Sequence, residues 1–483
     1  MRTSFKTLPA ENSLPTWRSD YLRSLQWNQG QFRQTHTAVP HCPRPSPDST
    51  ANLSRLKILK RRGGRGVPTL PAALLLLTSL AASGQTIARA QLEQWREQAV
   101  HALSIDSPLP PVAAHSFGSQ PAAPGVHIEH VTFATQFGRR VPAIVYVPDH
   151  PRTHLPAIVV VDGHGGDKSS WYAVYTGLLY ASAGAVVVTY DPVGEFERST
   201  SRGSEVGEHD KPIPGLTHPE RVGGLMIEDA LQALRYAAAR PDVDRNRIAM
   251  VGYSMGSFHA GLAAALASKQ VPRIRALVLS GGGNLDGNGG AWDTSANINC
   301  QGAPYRALSF MPDKGADLYA MRSQAGPTLV MNGYLDHVVS NEHEFEPFFE
   351  DLRARVAALT GSTNNLPQSV WLPEVGHRPS FMTRPAAIFL EYQLHFPNWT
   401  PEQIEQLSTI KAADWVKRTG VRISKGYIVD VKEGGIPILD LNLPGLTRDQ
   451  LTAVPRARWD KDPSTYTLAG WIPFALKADQ AKD

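Results

Sequence analysis

The stretch Ile248-Ala249-Met250-Val251-Gly252-Tyr253-Ser254-Met255-Gly256-Ser257 limits what this chain can fold into more than any other. An apolar run of strand length meets Gly-x-Ser-x-Gly, and an alanine-rich helical pattern over Ser257–Ser268 follows at once. A serine in that context sits on a sharp strand-to-helix turn, its hydroxyl held out over the end of a parallel sheet. Strained backbone at the serine leaves no room for a neighbouring Cβ, and the helix must pack closely on the strand, so Gly252 and Gly256 have a mechanical reason. Gly-x-Ser-x-Gly alone also occurs in ordinary glycine-rich turns. The strand before it and the helix after it make Ser254 a candidate nucleophile.

Flanking patterns agree with a sheet of that kind. A short amphipathic helix over Gln91–Ser104 precedes a Pro/Ala-rich linker. Val126–Phe133 and Arg140–Val147 then read as a hairpin around Phe137-Gly138. Ala157–Val161 is continuously apolar, as a strand covered on both faces should be. Helix Trp171–Ala183, strand Ala185–Tyr190 and a helix over Val222–Ala239 follow, the last with Ile227, Leu231, Leu234 and Ala238 at helical spacing. Beyond the serine come strands Ala276–Leu279 and Thr328–Met331, helix Glu344–Leu359 and strand Ser369–Trp371. Alternating strands and helices specify an α/β architecture: a mostly parallel central sheet flanked by helices and led by an antiparallel hairpin.

Over roughly Val126 to His395 the chain resembles α/β-hydrolases, specifically the acetyl-xylan-esterase-like and dienelactone-hydrolase-like group. In that fold the nucleophile, acid and base come in the order Ser, Asp, His. The resemblance implies Asp336 as the acid, three residues after the strand-ending Asn332-Gly333, with Asp286 as its substitute. It implies His377, in Leu372-Pro-Glu-Val-Gly376-His377, as the base; His337 and His395 sit less suitably, on the acid loop and late on a helix. Oxyanion donors are expected from the backbone of Met255 and from Gly165 and Gly166 in Asp162-Gly-His-Gly-Gly-Asp167. His164, Tyr253 and Glu195 are expected to line the substrate site. Tyr190-Asp191-Pro-Val-Gly194-Glu195 is either pocket wall or a plain strand-ending turn. Residues 281–323, with Trp292, Cys300, Tyr305 and Phe310, form either an overhang above the site or a long surface loop.

Of a net charge of +4, +9 falls in residues 1–66, where 12 Lys and Arg face 3 Asp and Glu, so the remainder carries −5. No basic footprint for nucleic acid is left on the folded part. Residues 1–55 have the composition of disorder. Lys57–Arg65, the apolar run Leu70–Ala82 and the small residues Ala82-Ser83-Gly84 read together as a signal peptide over 56–84, too short for a membrane span. The expected location is therefore secreted or periplasmic, with no stable span once the signal is removed. Because no Met lies between Met1 and Met226, residues 1–55 are expected to be a mis-called extension, with the true start near Leu56 or Val67. Loss of Cys42 with that leader leaves Cys300 without a disulfide partner. No His, Asp or Glu stands at zinc spacing such as His-Glu-x-x-His, and no phosphate-binding Gly-rich loop is visible, so neither metal nor cofactor is expected.

The catalytic body is placed at 91–396 and a small α+β extension at 397–483. Thr400-Pro401-Glu402-Gln403 starts a helix expected to run to about Lys417, before strands near Gly426–Val431 and Ile436–Leu441. Packing on the body, binding a partner or polymer, and forming dimers are all open to that segment. The reading as a whole is a secreted serine hydrolase of carboxylic esters, with a small-molecule or polysaccharide ester as substrate. Its alternatives are a prolyl-oligopeptidase-type peptidase, disfavoured because no propeller fits before the first strand, and a binding protein on a hydrolase scaffold. Oligomeric state and acyl specificity are not readable.

Overall fold

Nine strands form one sheet in the order β1-β2-β3-β5-β4-β6-β7-β8-β9. The computed structural model describes residues 89–149, 153–287, 290–338, 346–421 and 435–481. The leader, its signal-peptide reading and the strand expected at Gly426–Val431 lie outside these residues. The strands are β1 His115–Ala123, β2 Val126–Ala134, β3 Arg140–Pro148, β4 Leu155–Val161, β5 Val186–Tyr190, β6 Val243–Tyr253, β7 Ile274–Ser280, β8 Thr328–Gly333 and β9 Gln368–Leu372. From β1 to β3, and between β3 and β5, pairing is antiparallel; from β5 across to β9 it is parallel. This is the α/β-hydrolase fold, a mostly parallel sheet flanked by helices.

The apolar runs explain the layers. Every residue of β4 and of β5 is buried. Such strands need cover on both faces, which the helices Trp171–Ser182, Glu220–Ala239, Met255–Leu266, Glu346–Thr360 and Arg384–Leu394 provide. The β2–β3 hairpin turns through Phe137, whose φ of 54° is what lets the chain reverse there. Strand β1 was not foreseen. It is largely exposed, interrupted by Gly118 and Pro121, and carries two register shifts, which suits an edge strand and hides the period of two.

Strand order decides where chemistry can happen. β4 lies between β5 and β6, so the connections leaving β4 and β6 depart in opposite directions and open a crevice at the strands' C-terminal ends. The loop 162–167 and the turn at Ser254 face each other across it.

Residues 397–483 differ from expectation in their first part. Thr400 and Gln403 do form a reciprocal capping box, but the helix stops at Gln406. Thr409–Lys411 then pairs antiparallel with Pro437–Leu439, and a second helix, Ala412–Thr419, ends at Gly420 with φ 69°. The β-branched Thr409-Ile410 prefers the extended pairing to continuing a helix. The described residues all fall within one compact unit, Leu80–Asp483. The C-terminal helix Leu468–Gln480 is fixed by Asp479, which accepts from Thr217 N–H and Oγ1 (both 2.6 Å) and from Arg221 Nε (2.7 Å). Trp471 Nε1 donates to Gln136 (3.1 Å), and Tyr175 Oη donates to Leu439 C=O. Through these contacts the segment packs on the residues around the sheet.

Candidate active site

Ser254 takes φ 53° and ψ −121°, a left-handed conformation that a side-chain-bearing residue adopts only under constraint. The constraint is visible on both sides. Its N–H is held by Ser280 C=O at the end of β7 (2.9 Å), and its own C=O accepts from Ser257 and Phe258 N–H at the helix start. A Cβ on Gly256 would lie 2.2 Å from Val161 O, and one on Gly252 would lie 2.3 Å from Gly256 O. Glycine at both positions is what lets the helix approach the sheet.

Two neighbouring loops are locked together to complete the arrangement. Asp336 follows β8 and His377 follows β9. Tyr334 N–H donates to Leu372 O (3.1 Å) and Leu335 N–H to Val375 O (2.9 Å), while a Cβ on Gly333 would meet Val375 O at 1.9 Å. Ser280 clamps the histidine loop from the other side: Ser380 N–H donates to its Oγ (2.6 Å), which donates to Arg378 O (2.9 Å). The result is a chain of hydrogen bonds. His377 Nδ1 lies 2.8 Å from Asp336 Oδ2, and His377 Nε2 lies 2.8 Å from Ser254 Oγ. A carboxylate only accepts, so Nδ1 carries the proton and Nε2 is left to accept from the serine hydroxyl. Asp336 is 1% exposed, and its second oxygen accepts from Val338 N–H (2.9 Å).

The other expected site residues fall in different places. Asp286 accepts from Ala291 N–H (2.5 Å) within its own loop, while His337 and His395 are exposed. Tyr253 is buried under His377, its ring 5.2 Å from the imidazole and its Oη donating to His377 C=O (2.9 Å). Glu195 is fully buried and accepts from Val206 and Gly207 N–H (3.0 Å each), so it braces the 206–207 backbone. Burial pushes its carboxyl up to about 8. His164 lies partly exposed, with Nε2 2.8 Å from Asp210 Oδ1. Trp292, Tyr305 and Cys300 are buried, Trp292 stacking on Phe258 at 4.8 Å, so much of 281–323 is inner packing and not a surface loop.

The two loop glycines separate. Gly166 N–H is committed to Gly163 C=O (2.9 Å), and Gly163 N–H to Tyr172 Oη (3.0 Å). That internal turn removes Gly166 from the expected donors. Gly165 sits inside this turn at φ 74°. Met255 opens a helix, and the first N–H groups of a helix have no intrahelical acceptor.

A buried ionic network behind this loop was missed. Lys168 pairs with Asp191 and with Glu197 (2.8 Å); Glu197 also receives Arg202 (2.7 Å) and the N–H groups of Ala453 (2.7 Å) and Val454 (2.9 Å). Burial opposes a charge on Lys168, but Asp191 and Glu197 outweigh it and raise its pKa. The Asp191 segment is thus an internal brace joining the loop after β4 to the C-terminal residues. A lysine two residues after the Gly-Gly pair is the local signal in the sequence that could mark it.

Comparison with known proteins gives one family match: residues 118–278 fit the acetyl xylan esterase (AXE1) family. No curated protein matches. Among solved structures, Methylesterase BT1017 is similar at 17% identity and TM-score 0.48, over 82% of this chain and 76% of its own. An acetyl xylan esterase from Paenibacillus sp. R4 and acetyl xylan esterase 1 from Thermoanaerobacterium sp. JW/SL YS485 are each similar at 16% identity and TM-score 0.42, over 65% of this chain and 99% of theirs. By its sheet order the chain has the α/β-hydrolase fold, and its residues 118–278 are similar to the acetyl xylan esterase (AXE1) family.

Proposed function

We propose that this protein is a serine hydrolase of carboxylic esters, acting on acetyl or similar small acyl esters of carbohydrates. The observation that carries the reading is His377 bridging Ser254 Oγ and buried Asp336, both at 2.8 Å. Serine is a poor nucleophile until an imidazole takes its proton, and the carboxylate fixes the imidazole's tautomer and stabilises the imidazolium. In the forward half-reaction Ser254 Oγ attacks the ester carbonyl while its proton passes to His377 Nε2. The oxyanion is held by the N–H groups of Met255 and Gly165. Collapse of the intermediate expels the alcohol, which takes the proton back from Nε2, and an acyl-serine remains. Water then repeats the sequence, releasing the acid and restoring Ser254.

The carbohydrate-ester part rests on the acetyl xylan esterase match over residues 118–278. Export through the leader at 56–84 belongs to the same reading, and an exported protein beginning just after Gly84 is its expected product. Among the described residues no helix is long and apolar enough to cross a membrane. The test is fluorophosphonate labelling beside turnover of p-nitrophenyl acetate and of acetylated xylan. Labelling and turnover should both vanish in Ser254→Ala. A folded wild-type protein that neither labels nor turns over would overturn the proposal, and turnover of peptide anilides but not esters would replace it with a peptidase.

A further inference from the structure

A second group of reactive side chains lies beside the oxyanion loop. His164 comes from the loop after β4, His209 and Asp210 from the turn Glu208–Asp210, and Cys300 from the π-turn Ile298–Gly302. One ligand atom from each residue lies within 4.8 Å of all the others. Asp210 Oδ1 is the hub, 2.8 Å from His164 Nε2, 3.6 Å from His209 Nε2 and 3.7 Å from Cys300 Sγ.

We propose that His164, His209, Asp210 and Cys300 bind a divalent transition metal of the zinc class. His209 provides the independent sign. It is fully buried, and its Nδ1 lies 2.8 Å from Val193 C=O, which can only accept. The proton is therefore on Nδ1, and the lone pair of Nε2 points into the cluster, where no hydrogen-bond donor meets it. A lone pair facing a carboxylate oxygen at 3.6 Å is two acceptors turned on each other, which a shared cation reconciles. A carbonyl holding the far nitrogen is also how metal-binding imidazoles are oriented.

The surroundings are built to hold this shape. Asn299 Nδ2 donates to the carbonyls of His209 and Lys211 (2.9 Å each), tying the π-turn to the 208–210 turn. His259 Nε2 lies 2.8 Å from Cys300 C=O and fixes it from the helix that follows Ser254. Zinc bonds of about 2.0–2.3 Å set tetrahedral ligand spacings of about 3.4–3.7 Å. The His209–Asp210 and Cys300–Asp210 distances already match, and His164–Asp210 must open by about 0.6 Å to reach the same range. Nitrogen, oxygen and thiolate together select zinc over magnesium or calcium. On binding, the Cys300 thiol gives its proton to solvent as the metal–sulfur bond forms, and His164 ends as the neutral imidazole with its proton on Nδ1, which frees Nε2 for the metal. Four protein ligands leave no position for substrate, so the ion's work is structural. It would staple His164, and hence neighbouring Gly165, to the wall formed by residues 208–210 and 298–302.

The site does not depend on the esterase reading, and its test reads metal and not turnover. The full chain carrying Cys42→Ser, in which Cys300 is the one thiol left, is stripped with a chelator and titrated with Zn²⁺ and with Co²⁺. One equivalent of Zn²⁺ per chain is expected, and the Co²⁺ form should show intense tetrahedral visible bands with a near-ultraviolet thiolate charge-transfer band. Adding Cys300→Ser should remove that band and weaken Zn²⁺ on the order of 100-fold or more, with folding checked by circular dichroism. Failure of the Cys42→Ser chain to take up stoichiometric metal would overturn the site, as would a Co²⁺ spectrum with no thiolate band. Should Cys300→Ser not fold, the Cys42→Ser spectrum decides alone.

Discussion

Two histidine centres sit at the same end of this sheet, built from nearly the same residue types and wired differently. In the first, Asp336, His377 and Ser254 form a line in which every donor meets an acceptor, at 2.8 Å in each step. In the second, His164, His209 and Cys300 surround Asp210, and one imidazole lone pair finds no donor. A line moves a proton from end to end. A hub gathers electron pairs about a point. Connectivity, more than composition, separates proton-transfer chemistry from cation binding.

The largest expected effect cuts the line and spares the hub. Ser254→Ala should lower ester turnover on the order of 10⁴-fold or more, while the variant keeps the same one equivalent of zinc. Loss of zinc from Ser254→Ala would show that the two centres are a single unit. Asp336→Asn comes next. The imidazole loses the partner that fixes its tautomer, and turnover should fall by about 10²–10⁴-fold with Ser254 still present. Unchanged turnover in Asp336→Asn would remove this acid from the line.

Acting on the hub should do the reverse: little chemistry lost, some stability lost. Zinc at about 100 times its dissociation constant adds about 2.7 kcal/mol to the folded state. Chelation should therefore lower the thermal midpoint by a few degrees, about 2–5 °C. The shift should be absent from Cys300→Ser, and a midpoint indifferent to zinc and chelator in the wild type would count against a staple.

The same contrast explains what could be read from the sequence. Ser254, Asp336 and His377 are far apart in the chain, yet each carries a local mark: a strand–turn–helix, a strand-ending Asn-Gly, a Gly-His after the last strand. Knowledge of the fold's order then joins them. His209, Asp210 and Cys300 have no such marks, and the one that His164 carries, its glycine-rich loop, belongs to the other centre. Local spacing rules, which look for ligands a few residues apart, pass over them because only the crossing of three loops brings them together. Gly165 and Gly166 look equivalent in sequence, and a single turn hydrogen bond, from Gly166 N–H to Gly163 C=O, tells them apart. Tyr253 and Glu195 adjoin site motifs, but nothing in the sequence marks their burial or their bonds to His377 C=O and to the 206–207 backbone. The sheet was legible wherever strands are covered on both faces; exposed β1 and the interrupted helix after Thr400 were not, since tertiary pairing decides them.

A third acid, in neither centre, sharpens the comparison through pH. Glu228 lies within the helix Glu220–Ala239; its Oε2 accepts from Asp106 N–H (2.8 Å) and Gln136 Nε2 (3.0 Å), while Oε1 is buried with no partner. Asp336, by contrast, has both oxygens engaged. Burial, with Asp106 and Asp229 adding like charge, pushes the Glu228 carboxyl up to about 8 from 4.5, against the smaller pull of the two hydrogen bonds. Arg198, the nearby cation, is paired with Asp229. A raised folded-state pKa means the folded protein holds a proton that the unfolded chain has released. The associated stability is thus fully present below the unfolded value near 4.5 and is lost as pH rises towards about 8. Glu228→Gln cannot release that proton. Relative to the variant, the wild type should lose a few kcal/mol, about 4 at most, between about pH 5 and about pH 9, read as diverging urea midpoints. Parallel midpoints across that range would mean that Glu228 is already ionised in the folded state and that a donor reaches Oε1 after all.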